Sequence, residues 1–140
     1  MKELVVDAVR ENLGKVQDFV QRGLDSVGCS DSMKRTIICV AEEIFINIAD
    51  YAYTCTHLAN KAGKATIMLS LGDDIMLIFR DNGVKFNPLD YQTPNFDDDI
   101  EDRELGKIGI PMIKYYMDSV DYKYEANTNI LTIRKQINLM

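Results

Sequence analysis

Nowhere in these 140 residues does an apolar run approach the roughly 18 needed to cross a bilayer as a helix. The opening Met1-Lys2-Glu3-Leu4 lacks the apolar core of a secretory signal. Cysteine is scarce. Cys29, Cys39 and Cys55 make an odd set with no C-x-x-C spacing, which points to reduced thiols in or near a core and to a cytoplasmic setting. A basic excess is missing too. The net charge is −6, and the longest charged run, Asp97 to Asp99 with Glu101 and Asp102, is acidic. Duplex nucleic acid and anionic membranes are held by clustered cations, so neither is an expected partner. The acidic run itself lacks the central glycine and the regular oxygen spacing of an EF-hand. The single histidine, His57, lies in a polar stretch without the helical context of a phosphoacceptor. There is no internal repeat and no low-complexity segment.

What is present suits one globular domain covering 1–140. The chain is 46% apolar and 27% charged, and a chain of this length buries roughly two thirds of its unfolded surface. Leu4, Val6 and Ala8 alternate as in a short strand. Asn12 is placed to cap a helix with Val16, Phe19, Val20 and Leu24 at helical spacing, ended by Gly28. Ser30 or Asp31 starts a longer helix whose stripe is Ile37, Val40, Ile44 and Ile48, persisting to about Tyr53. Thr54 to Gly63 reads as loop. Ala65 to Leu71 and Ile75 to Arg80 read as strands, the second apolar on both faces and therefore central. Val84 to Leu105 has no periodicity, two prolines and the acidic run, as expected of a functional lid over about 84–108. A helix opening after Gly109 should present Ile110, Ile113, Met117 and Val120 on one face, with Pro111 in its first turn. A hairpin, Tyr122 to Glu125 and Ile130 to Ile137, should turn at Asn127-Thr128-Asn129. This order predicts an α/β sandwich of the α+β type, a mixed and mostly antiparallel sheet with helices on one face.

Three segments can carry chemistry. Glu43 and Asn47 are four residues apart, so they share a helix face beside the apolar stripe. A carboxylate and an amide oxygen there suit a hard cation such as Mg²⁺. Asp81, leaving a central strand, can accept from an exocyclic amine, and Gly83 permits close backbone approach to a flat ring. Gly106 and Gly109 precede a helix, whose free N–H groups and dipole favour phosphate. Taken singly, these read as a solvated helix flank, an Asp-Asn-Gly turn and loop punctuation.

Their order is more informative. E-x-x-x-N on a helix, D-x-G at a strand end, a long polar loop and G-x-x-G before a helix resemble the GHKL (histidine-kinase-like) ATPase family, over nearly the whole chain. Within it the sequence looks most similar to the stand-alone anti-sigma-factor serine kinases, which share its length and an ending like Met112 to Val120. The resemblance implies a Bergerat-type fold binding ATP and Mg²⁺. It implies Asn47 as the metal ligand and Glu43 as general base. Asp81 would hold the adenine amino group, Gly83 would line the ring, and Thr132 would support it. Gly106, Lys107, Ile108 and Gly109 would cradle the phosphates, with Asp50, Lys85, Phe86 and Arg103 also at the cofactor. The implied partners are an anti-anti-sigma (STAS) protein and a sigma factor or similar regulator, and the implied assembly is a homodimer formed through the first strand and helix.

The sequence departs from the family pattern at Lys85 and Lys107, which replace glycines, and at Tyr51, where a histidine is common. The lysines favour a rival reading, a nucleotide-dependent switch without phosphate transfer; Glu43 opposes it. A two-component histidine kinase ranks lower still, for want of a phosphoacceptor helix.

Overall fold

In a computed structural model of the chain, residues 1–53, 63–85 and 109–137 are described, excepting the side chains of 109–112. Strand β1 (Lys2–Asp7) leads through a 3-10 turn (Arg10–Asn12) into helix α1 (Leu13–Asp25). Helix α2 (Asp31–Asn47) ends in a wider π turn, Ile48–Ala52. Strands β2 (Lys64–Leu71) and β3 (Asp74–Asp81) follow, then α3 (Gly109–Tyr116), β4 (Ser119–Glu125) and β5 (Thr128–Gln136). The sheet order is β1-β2-β3-β5-β4, with β3 in the middle as its apolar run predicts. Among the described residues all four pairings are antiparallel, and no parallel strand contributes.

One sheet face is apolar by strict alternation. Ile67 and Leu69 on β2, Leu77 and Phe79 on β3, and Leu131 and Ile133 on β5 are all buried against the helices. Helix α1 supplies Val16, Val20 and Leu24 at 3.6-residue spacing. Helix α2 is fixed at its start by Ser30, whose hydroxyl accepts from the Met33 N–H at 3.2 Å, a cap that contributes about 1 kcal/mol. From Glu43 to Ile48 every residue of this helix is buried. It lies between α1 and α3 with the sheet beneath, so it has no solvated flank at this level. No helix among the described residues is long and apolar enough to cross a membrane.

Several expectations are corrected. Asn12 precedes α1 but does not cap it; its Nδ2 donates to the Asp7 carbonyl instead, 2.9 Å away. The last helix stops at Tyr116, and Val120 lies on β4 opposite Ile133. The chain leaves the helix because Asp118 joins the sheet: its N–H donates to the Arg134 carbonyl, and its carboxylate accepts from the Gln136 N–H. The β4–β5 turn is Ala126-Asn127, both at positive φ (52° and 59°), which suits the strand twist. Thr128 and Asn129 are therefore strand residues. Cys29 is buried as expected, but Cys39 is exposed. The lid expected over 84–108 falls, beyond Val84 and Lys85, outside the described residues, as do Cys55 and His57.

Candidate functional site

A cavity opens between the end of α2 and the ends of β3 and β5. Its walls are mostly apolar, from Ile44, Ile48, Ala52, Phe79, Val84, Ile113 and Leu131; Asn47, Asp81, Tyr122 and Asn129 supply the polar groups. A concave apolar slot with a few converging polar groups is the usual form of a small-molecule site.

Asp81 reaches it through strand alternation. It shares parity with the buried Ile75, Leu77 and Phe79, so β3 turns a carboxylate towards the helix layer. Only 8% of the residue remains exposed. Burial pushes its carboxyl above the ordinary aspartate range, partly offset by hydrogen bonds from Asn129 and from the Gly83 N–H. Both donors act on Oδ1, at 2.9 Å and 3.0 Å. Asn129 is the direct cross-strand partner of Asp81 on β5. Its Nδ2 also donates to the Val84 carbonyl at 2.9 Å, and its Oδ1 accepts from the Tyr122 hydroxyl at 2.5 Å.

The turn after Asp81 is pinned on both sides. The Asn82 N–H donates to the Tyr53 hydroxyl at 2.9 Å, and that hydroxyl donates to the Lys64 carbonyl at 2.6 Å. The Val84 N–H donates to the Ala52 carbonyl at 2.7 Å. A Cβ on Gly83 would stand 2.1 Å from the Ala52 oxygen. Glycine is therefore required here by the end of α2, whatever fills the cavity. Gly83→Ala should break the Val84–Ala52 bond and destabilise the fold by about 1–3 kcal/mol, as forced overpacking does. Chemical denaturation would check this, an unchanged midpoint counting against it.

Asn47 enters from the other side. It is 9% exposed and lines the cavity, and its buried Oδ1 has no hydrogen-bond partner among the described residues. An orphaned buried amide oxygen is costly unless something binds it, and it fits a hard cation. No cluster of three or more His, Cys, Asp or Glu occurs among the described residues. Among the described residues a Mg²⁺ held here would find few protein oxygens, and phosphates and water commonly complete such a shell. Glu43, one helical turn earlier, is 6% exposed and is not part of the cavity wall.

The other expected residues divide sharply. Thr132 is corrected: it lies on the opposite sheet face, because β5 alternates and Leu131 and Ile133 point to the helices. Asp50 is turned outward, its carboxylate taken in a two-point contact by Arg10 at 2.9 Å and 2.6 Å. The Lys85 ammonium sits 5.5 Å from the Tyr124 ring centroid, a cation–π distance. Gly109 is the first residue of α3. Phe86, Arg103, Gly106, Lys107 and Ile108 lie outside the described residues. Asn129 and Tyr122 were not expected at the site. The signal for Asn129 was its parity, a polar residue two before Leu131 on the apolar face of its strand.

Residues 6–135 match the family described as the histidine kinase-like ATPase domain. The chain is 25% identical over 107 residues to the serine/threonine-protein kinase BtrW of Bordetella bronchiseptica, covering 74% of this chain and 71% of that one. Among solved structures it resembles the RsbU and RsbW domains of Rv1364c from Mycobacterium tuberculosis. The TM-score is 0.62 at 14% identity, covering 98% of this chain and 33% of that one. This chain spans about a third of that solved chain, so the likeness there is one of fold. Family match, antiparallel sheet and a strand-end carboxylate facing a helix-borne amide agree: the chain belongs to the histidine kinase-like ATPases.

Proposed function

We propose that the protein is a cytoplasmic anti-sigma-type serine kinase. It would bind Mg-ATP, phosphorylate a serine of an anti-anti-sigma (STAS) partner, and sequester a sigma factor or similar regulator when that partner is absent. One observation carries this reading: the buried Asp81 carboxylate and the orphaned Asn47 oxygen share a single apolar cavity, one suited to a base amine and the other to a hard cation. The similarity to a protein named as a serine/threonine kinase adds to it.

The roles follow from the placement. Asp81 would accept from the amino group of adenine while Phe79, Ile113 and Leu131 enclose the ring. Asn47 would hold the metal through Oδ1. Bound Mg-ATP would supply the transferable phosphoryl group and its charge neutralisation. Glu43 would take the proton of the seryl hydroxyl as its oxygen bonds to the γ-phosphorus and the β–γ bridging bond breaks. Such transfer needs mainly positioning and electrostatics, and Glu43 and Asn47 lie one turn apart on α2. The homodimer, through β1 and α1, belongs to the same proposal.

The test is incubation with labelled ATP and Mg²⁺ beside candidate STAS proteins, followed by phosphoserine detection. Nucleotide binding without transfer to any of them would favour the switch reading instead.

A further inference from the structure

We propose that Asn129, held by Tyr122, is the residue that positions Asp81 for an amino-bearing purine and thereby sets discrimination against 6-oxopurines. This rests on the nucleotide reading above and adds a device to it.

A buried amide must satisfy both its ends. The Tyr122 hydroxyl donates to the Asn129 oxygen at 2.5 Å. The NH₂ end is thereby directed at two acceptors, Asp81 Oδ1 and the Val84 carbonyl, each at 2.9 Å. The reverse orientation would set the amide oxygen against a carboxylate and a carbonyl, so the hydrogen-bond directions are fixed by chemistry. Asp81 Oδ1 is then occupied by two donors, Asn129 and the Gly83 N–H. No donor among the described residues reaches Oδ2, and Asp81 lines the cavity. One carboxylate oxygen is saturated and the other is offered to a ligand.

An ionised carboxylate oxygen only accepts, so the atom it meets must be a donor. The 6-amino group of adenine qualifies; the 6-oxo group of hypoxanthine does not. A protonated Asp81 would reverse this preference, and burial favours protonation. The Asn129 donor opposes it. Of the titratable groups around it, Tyr53 after α2 has its phenol pushed above the ordinary tyrosine range, chiefly by burial, and stays neutral in the acidic range; Tyr122 lines the cavity from β4, and Glu43 on α2 is not part of its wall. No cation among the described residues lines the cavity to do the same work.

The experiment measures ADP and IDP binding by calorimetry across acidic to neutral pH for wild type, Asn129→Leu and Tyr122→Phe. Carbon NMR of the Asp81 carboxyl is recorded in each nucleotide-free protein. Near neutral pH, wild type should prefer ADP by about 10- to 100-fold, the worth of a hydrogen bond to a charged group. Asn129→Leu should narrow that ratio to within about threefold, move the acid limb of ADP binding to higher pH, and raise the pH at which the carboxyl titrates. Tyr122→Phe, the milder change, should shift all three in the same direction, and it serves if Asn129→Leu does not fold. Equal loss of both nucleotides, with the acid limb and carboxyl titration unmoved, would overturn the inference and leave Asn129 merely structural. If wild type binds neither nucleotide, the discrimination falls with the nucleotide reading. A carboxyl titration that still moves with Asn129 would then uphold the positioning alone, and one that does not would overturn that as well.

Discussion

Glu43→Gln is expected to leave Mg-ATP binding close to wild type while lowering phosphate transfer to the partner serine by roughly 10²–10⁴, the usual contribution of a positioned base. The amide is nearly isosteric with the carboxylate, and Glu43 sits where α2 is buried on all sides, so its packing is retained. Asn47 lines the cavity separately and keeps the amide oxygen proposed to hold the metal. Single-turnover transfer and calorimetric binding, measured on the same preparation, separate the two effects. Transfer that survives at full rate would show that another group is the base. A wild type that transfers to no partner would place the protein among nucleotide-dependent switches, and Glu43→Gln would then change little beyond stability.

Asp81→Asn is expected to weaken ADP binding by at least about tenfold, since a hydrogen bond to a charged group contributes roughly 1.5–3 kcal/mol. Its amide oxygen can still take the two donors now on Oδ1, which leaves an NH₂ group facing the NH₂ of the base. The fold should not suffer equally. A carboxyl whose titration is raised in the folded state binds its proton more tightly there than in the unfolded chain. Stability therefore falls as pH rises through that range, and at neutral pH the buried charge opposes folding. Nucleotide-free Asp81→Asn should melt at or above the wild-type temperature near neutral pH and lose that advantage on acidification. Weak binding joined to a lowered melting temperature at neutral pH would mean that the substitution damages structure rather than recognition.

The sequence announced the parts governed by periodicity. The apolar stripe of α2, the Ser30 cap and the central place of β3 all follow from spacing and end chemistry. The burial of Asp81 at a strand end was legible as well, since it closes a central strand two residues before Gly83. Burial of Glu43 and Asn47 was not, because polar residues beside a stripe look solvated until further elements cover them. The exchange of Thr132 for Asn129 has a different cause. Strand parity depends on where the hairpin turns, and here it turns at Ala126-Asn127 without the Asn-Gly or Gly-Gly pair that usually marks such a site. An expected turn that reached into Asn129 hid its membership of the buried face. Val120 was misplaced because apolar spacing alone continues a helix that Asp118 ends by bonding to β5.

The π turn after α2 bears on how the family site can vary in length. Asn47, on one wall of the cavity, and Ala52, whose carbonyl anchors the strand-end turn at Val84, stand five residues apart on one continuous segment. That segment acts as a ruler between the amide end of the cavity at Asn47 and the strand-end turn beside Asp81. Adding or removing a residue within it would rotate one end against the other by roughly 100°, so insertions and deletions should be purged between 47 and 52. The Gly72-Asp73 turn joining β2 to β3 sits away from the cavity and carries no such constraint. Length drift among relatives should accumulate there instead.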